Sequence, residues 1–151
     1  MDRLTAMKVF INVVELGSLG QIRIGTVTGA NSFFIISQSK AKELGLEENY
    51  LTPILSKFGH IKGTQVTAED ISKWQHEDKK CLLFQAAGKE LSESAQQYIN
   101  TFPEEKRTSN STFSRRQDWL VAEDGRIPEG VSGILCKRGF TSATACGLQT
   151  G

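Results

Sequence analysis

Apolar and polar positions change period several times along this chain. Leu4, Met7, Phe10 or Ile11, and Val14 recur at helical spacing, with Asp2 placed to cap them. Val9, Ile11 and Val13 also fall at period two, so the same stretch reads equally as a strand. Gly17-Ser18-Leu19-Gly20 breaks the pattern. Ile22, Ile24 and Thr26 then alternate with Arg23 and Gly25. Thr28-Gly29-Ala30-Asn31 has turn chemistry, and Phe33-Phe34-Ile35-Ile36 is a second extended run. Together they predict a β-hairpin over 21–36.

Further along, Ser37 or Ser39 can cap a short helix that runs to Leu44 and stops at Gly45. Residues 47–56 predict another helical piece, limited by Pro53. Thr67 and Asp70 have capping-box spacing, with Asp in place of the usual Glu. They open a helix over 68–76 carrying Ile71 and Trp74. Cys81-Leu82-Leu83-Phe84 predicts a buried strand. Leu91, Ala95, Tyr98, Ile99 and Phe102 share one face of a helix over 90–102, which Pro103 ends. Residues 104–114 are polar and predict a loop. Residues 117–122, around Trp119, predict a strand, and the stretch after Pro128 shows little periodicity.

The predicted fold is α+β: a single mixed domain with a central β-hairpin or sheet and several short helices. Strands and helices do not alternate regularly, which argues against a doubly wound sheet. The organisation reads as a leader segment at 1–15, helix or strand, a domain at 16–130, and a divergent or disordered tail at 131–151.

Composition narrows the functional classes. The chain has 151 residues, 38% of them hydrophobic and 23% charged, enough to bury a core without metal or disulfide help. No apolar run approaches the roughly 20 residues of a membrane span, so no membrane partner is expected. Cys81 lies in an apolar run and reads as a small buried hydrophobe. Cys136 and Cys146 lack metal-ligand spacing, and only His60 and His76 could assist them. Reduced thiols, a cytoplasmic location and no metal are expected.

Catalytic chemistry finds no support. Gly17, Gly20 and Gly25 are loosely spaced and lead into the predicted hairpin, where a cofactor-binding turn would open a helix. The 3 prolines, Pro53, Pro103 and Pro128, are never adjacent. An amino methyltransferase grips its target base with an acidic-or-Asn, Pro-Pro, aromatic motif, which is therefore absent. Glu47-Glu48 and Glu104-Glu105 are neighbours in sequence and point to different sides of any element. No catalytic residue and no cofactor are expected, including S-adenosylmethionine.

Gly25, Thr28, Gly29, Asn31, Phe33 and Phe34 fill every position of a Gly-x-x-Thr-Gly-x-Asn-x-Phe-Phe signature. That stretch resembles the opening of the C-terminal target-recognition region of adenine-specific DNA methyltransferases of the restriction-modification type. The likeness continues in the same order through Glu43-Leu44-Gly45-Leu46, Tyr50-Leu51-Thr52-Pro53, the basic loop at 57–62, Tyr98-Ile99 and Arg116-Gln117-Asp118-Trp119. It implies a truncated, non-catalytic DNA-binding module, with double-stranded DNA as partner and a separate methyltransferase catalytic subunit as a second one. A shorter likeness links residues 1–18 to the first helix of LysR-type regulators. The Gly/Thr/Asn turn that follows gives no second and third helix for a helix-turn-helix.

The residues that would touch DNA fall in three groups. Thr28, Gly29 and Asn31 form a turn in which Asn31 can pair bidentately with adenine. The alternative is that Gly29 and Asn31 only satisfy turn dihedrals. Lys57, His60 and Lys62 make one basic loop, for which a solvated charged loop is the plainer reading. Lys106, Arg107, Arg115 and Arg116 make a second basic segment with no acid between 106 and 117, suited to phosphate contacts. The balance of 18 Lys+Arg against 17 Asp+Glu, net +1, is low for a free nucleic-acid binder. It keeps open a protein-interaction or inhibitory domain on the same fold, and a non-functional fragment.

Overall fold

Leu82–Phe84 is apolar throughout and buried at every position, the pattern of a strand covered on both faces. In the computed structural model this strand, β4, lies at the centre of a three-stranded antiparallel sheet. The structure describes residues 18, 20–21, 23–122, 128, 130–133 and 141–145. The predicted leader, the alternating residue Ile22, and Cys136 and Cys146 lie outside these.

Elements follow in the order α1 (Asn31–Phe34), β1 (Ile35–Ile36), α2 (Gln38–Glu43), β2 (Leu51–Pro53), β3 (Gln65–Val66), α3 (Ala68–His76), β4 (Leu82–Phe84), α4 (Glu93–Asn100), α5 (Glu104–Ser109), β5 (Gly130–Gly133) and β6 (Thr141–Ala145). Single 3₁₀ turns occupy Glu48–Tyr50 and Phe58–His60. β4 pairs with β1 through Ile35 opposite Leu83, and with β2 through Thr52 opposite Leu83. A second sheet has β6 between β3, parallel to it, and β5, antiparallel. The chain is thus a mixed α+β protein of short elements, as its patterning predicts.

Three helices sit where their caps place them. The Ser37 side chain accepts from the Lys40 amide at the start of α2, and Gly45 takes φ +62° just past its end. Thr67 and Asp70 form a reciprocal capping box at α3, although Asp is one carbon shorter than Glu. The Thr67 amide and hydroxyl both donate to the Asp70 carboxylate, which holds that group below its ordinary range. The helix over 90–102 is shorter than its apolar face suggests: Ser92 caps α4, and Leu91 is left exposed.

Four expectations fail, each for a physical reason. The hairpin over 21–36 does not form. Residues 23–28 are irregular, Ile24 is 89% exposed, and β1 takes its ladder bonds from β4. Phe33 and Phe34 are helical, both amides donating to the Ala30 carbonyl at 3.0 Å, and both rings are buried. Residues 47–56 form a 3₁₀ turn and then β2, because β4 offers that stretch a ladder. Residues 104–109 are helical, with Glu104 and Glu105 at the favourable end of the dipole and Lys106 and Arg107 towards the other. Around Trp119 there is a turn: the Leu120 amide donates to the Asp118 carboxylate at 2.9 Å, a local bond that competes with a strand ladder. After Pro128, β5 and β6 give regular structure that the composition does not show.

The main core packs β4, α1 and α4 around aromatic rings. Phe33 stacks on Tyr98, with centroids 4.7 Å apart and planes 9° apart, and also meets Phe34, Phe84, Phe102 and Trp119. The Tyr98 hydroxyl donates to the Phe33 carbonyl at 2.7 Å, and burial pushes its pKa up to about 12. A smaller cluster joins Val66, Ile71, Trp74 and Cys81. Burial raises the pKa of the free Cys81 thiol, which suits a packing role. Among the described residues no helix is long and apolar enough to cross a membrane.

Candidate nucleic-acid interface

The segment Val27–Ala30, which leads into α1 at Asn31, is irregular backbone, so something other than a sheet ladder must hold it. The Thr28 side chain supplies part of the answer. Its hydroxyl accepts from the Ala30 amide at 3.2 Å and donates to the Asn31 side-chain oxygen at 2.5 Å. Thr28 is 2% exposed, while Asn31 stands at the surface and keeps its amide nitrogen free to donate to a ligand.

The rest comes from residues more than eighty positions away. The Asn110 amide donates to the Gly29 carbonyl at 2.9 Å. The Arg116 guanidinium donates to the Thr28 carbonyl at 3.2 Å, and to the carbonyls of Val27 and Trp119. Its carbon lies 5.9 Å from the Phe113 ring centroid. Burial lowers the Arg116 pKa, but from so high a value that it stays charged. Gly29 has φ +82°, and a Cβ there would sit 2.6 Å from the Phe113 ring. Only glycine allows both that dihedral and that approach.

The 106–116 segment therefore divides by role. Arg116 turns inward and secures Val27–Asn31. Arg107 pairs with Glu104 at 3.1 Å and lies 5.8 Å from the Trp119 ring centroid. Lys106 and Arg115 are exposed and stay available to a ligand. An open groove of 630 Å³ runs between α1 and α5, and Gly29, Ser32, Lys106 and Asn110 line it. Lys40 lines it too, from α2. Sequence reading gave α2 no functional residue, and only its alternating lysines, Lys40 and Lys42, could have suggested one.

The other basic group is built differently. His60 faces the Trp74 ring, with centroids 5.5 Å apart, and its Nδ1 is buried without a hydrogen-bond partner. Desolvation lowers its pKa, reinforced by Lys79, Lys57 and Lys62 and opposed by Glu77. It packs as a neutral ring. Lys57 and Lys62 are exposed on either side of the 3₁₀ turn, and neither lines the groove. The structure brings Thr28, Gly29 and Asn31 together with Lys106 and Arg116, and leaves Lys57, His60 and Lys62 in the smaller cluster's neighbourhood. Among the described residues, no group of three or more metal-ligating side chains converges.

Comparison with known proteins gives the context. Over 115 residues the chain is 27% identical to the Type II methyltransferase M.AccI of Acinetobacter calcoaceticus, an alignment covering 76% of this chain and 21% of that protein. The chain thus corresponds to about a fifth of the relative. No solved structure matches significantly. The family described as Type II methyltransferase M.Eco57I, C-terminal domain, matches residues 1–137, nearly the whole chain, and this protein belongs to that family.

Proposed function

We propose that this domain binds duplex DNA and positions its sequence for a methyltransferase catalytic region, without carrying out methyl transfer itself. One observation carries the reading. Residues 28–31 and 106–116, distant in sequence, are tied together by the Asn110 and Arg116 hydrogen bonds, with Asn31, Lys106 and Arg115 exposed and Lys106 lining the groove beside Gly29. Rigid polar groups for base edges, flanked by mobile cations for phosphates, are the division of labour that DNA recognition needs.

The roles differ in what they read. Asn31 offers an amide to a base edge. Lys106 and Arg115 offer charge to the backbone, and Thr28, Gly29 and Arg116 hold the reading segment. Lys57 and Lys62 are peripheral phosphate contacts at most, and His60 supports their loop. The small net charge of +1 predicts weak nonspecific binding, so the catalytic region adds affinity. Cytoplasmic residence follows from the same role.

Duplex binding at low salt tests this. Arg115→Ala should flatten the dependence of log affinity on log salt by about 0.9, the counterion release of one phosphate contact. Asn31→Ala should leave that slope alone and cost roughly 1–3 kcal/mol of discrimination between sequences. Wild-type protein that binds no duplex, with or without a methyltransferase catalytic region, would end the DNA reading.

A further inference from the structure

Lys40 and Lys106 are far apart in the chain, yet both line the groove between α1 and α5. Its lining contains no carboxylate. Glu43 pairs with Lys40 at 2.9 Å with both side chains largely in water, and Glu104 and Glu105 precede Lys106 on α5, with Glu104 paired to Arg107. An exposed pair of this kind is worth about 0–1 kcal/mol, so a doubly held phosphate competes with it easily. Ser32 and Ser109 add neutral hydroxyls, and Asn110 adds an amide already turned towards Gly29.

The floor decides what kind of ligand fits. Phe33 and Tyr98 are 6% and 8% exposed and stack on each other. Those two rings are closed off, and the third lining ring, the partly buried Phe102, stacks on Trp119, so the groove offers a base little to stack on. Two cations, neutral hydrogen-bonding groups and a closed aromatic floor suit a sugar–phosphate chain instead.

We infer that the groove takes one sugar–phosphate strand of duplex DNA, with Lys40 on α2 and Lys106 on α5 as phosphate contacts from two separate elements. This rests on the DNA reading above. It adds a contact from a helix that the methyltransferase signature does not include, and it gives the bound strand a path past Asn31.

The test titrates a labelled mixed-sequence duplex with the full chain over a range of salt. Wild type is compared with Lys40→Ala, Lys40→Arg, Lys106→Ala and the Lys40/Lys106 double variant. Lys73→Ala, on α3 away from the groove, serves as control, and thermal midpoints confirm folding. Lys40→Ala and Lys106→Ala should each flatten the salt slope by about 0.9, and the double variant by about 1.8. Lys40→Arg should keep the wild-type slope, and so should the control. If Lys106→Ala lowers the slope and Lys40→Ala does not, the groove path is wrong while DNA binding stands. If the control flattens the slope as much as Lys40→Ala, the effect is diffuse charge and the groove has no special role. If wild type binds no duplex, both readings fall together.

Discussion

Two stretches of this chain look alike on paper: 57–62 and 106–116 are both basic, polar and unremarkable in hydrophobicity. Folded, they differ in what their neighbours ask of them. The second lies across Val27–Asn31, so Asn110 and Arg116 answer backbone carbonyls more than eighty residues away, which leaves Lys106 and Arg115 facing solvent. The first bends through a 3₁₀ turn over the Val66, Ile71, Trp74 and Cys81 cluster. His60 covers Trp74 there, and the partly buried Ile61 packs on the same cluster. A basic run therefore does not define an interface. What matters is whether its cations are spent on the fold, and whether the free ones stand beside a rigid group that can read something.

The sharpest way to break the contrast is to remove the rigidity on one side only. Gly29→Ala puts a Cβ 2.6 Å from the Phe113 ring at φ +82°. Phe113 is 4% exposed and packs against Phe34, Phe102 and Trp119, so it has little room to yield. The left-handed dihedral costs about 1–2 kcal/mol and the overpacking about 1–3 kcal/mol. Denaturant unfolding should show a loss of roughly 2–5 kcal/mol. In the other region, Gly59→Ala meets nothing within 4 Å and should leave stability nearly unchanged.

Arg116 comes next in size. Hydrogen bonds from a charged donor are worth about 1.5–3 kcal/mol, and a half-buried site puts Arg116→Ala at the low end. The informative readout is binding. If Arg116 positions the reading segment, Arg116→Ala should reduce discrimination between DNA sequences while keeping the wild-type salt slope. Arg116→Lys should restore little, because an ammonium cannot span two carbonyls as the planar fork does. A slope flattened by about 0.9 would instead make Arg116 a phosphate contact.

These residues also mark how far the sequence could be read. Local chemistry was legible: the Thr67–Asp70 box fixed α3 to its ends, Ser37 and Gly45 bounded α2, and an all-apolar run gave β4. Tertiary choices were not. Phe33 and Phe34 have strand-forming side chains, but the Ala30 carbonyl and the aromatic core drew them into a helix. Of the site, the turn Thr28–Asn31 could be read as a special backbone position. The inward role of Arg116 could not, because its partners are Val27 and Thr28, and nothing in the sequence links positions so far apart. Lys40 was missed for the same reason.

The smallest expected effect belongs to the other region and concerns its charge. His60 has an ordinary pKa of 6.5, lowered in the folded protein by burial first and then by Lys79, Lys57 and Lys62, with Glu77 working the other way. Below pH 6.5 the unfolded chain takes up a proton that the folded chain refuses. Stability is therefore unaffected by this residue above that pH and declines as pH falls from 6.5 towards the lowered folded value. Asp70, Asp78 and Glu77 are held below their ordinary carboxylate values, so their contribution is lost only at more acidic pH. Urea midpoints followed from about pH 7.5 to about pH 5.5 bracket the ordinary histidine value and so isolate the histidine step. His60→Phe keeps an aromatic ring against Trp74 and removes both the titration and the unpartnered Nδ1. Its midpoint should fall less over that range than the wild type's. An identical decline in both proteins would mean that His60 is as well solvated when folded as when unfolded. The 57–62 loop would then be the solvated basic surface that its sequence suggests, and the contrast with 106–116 would narrow.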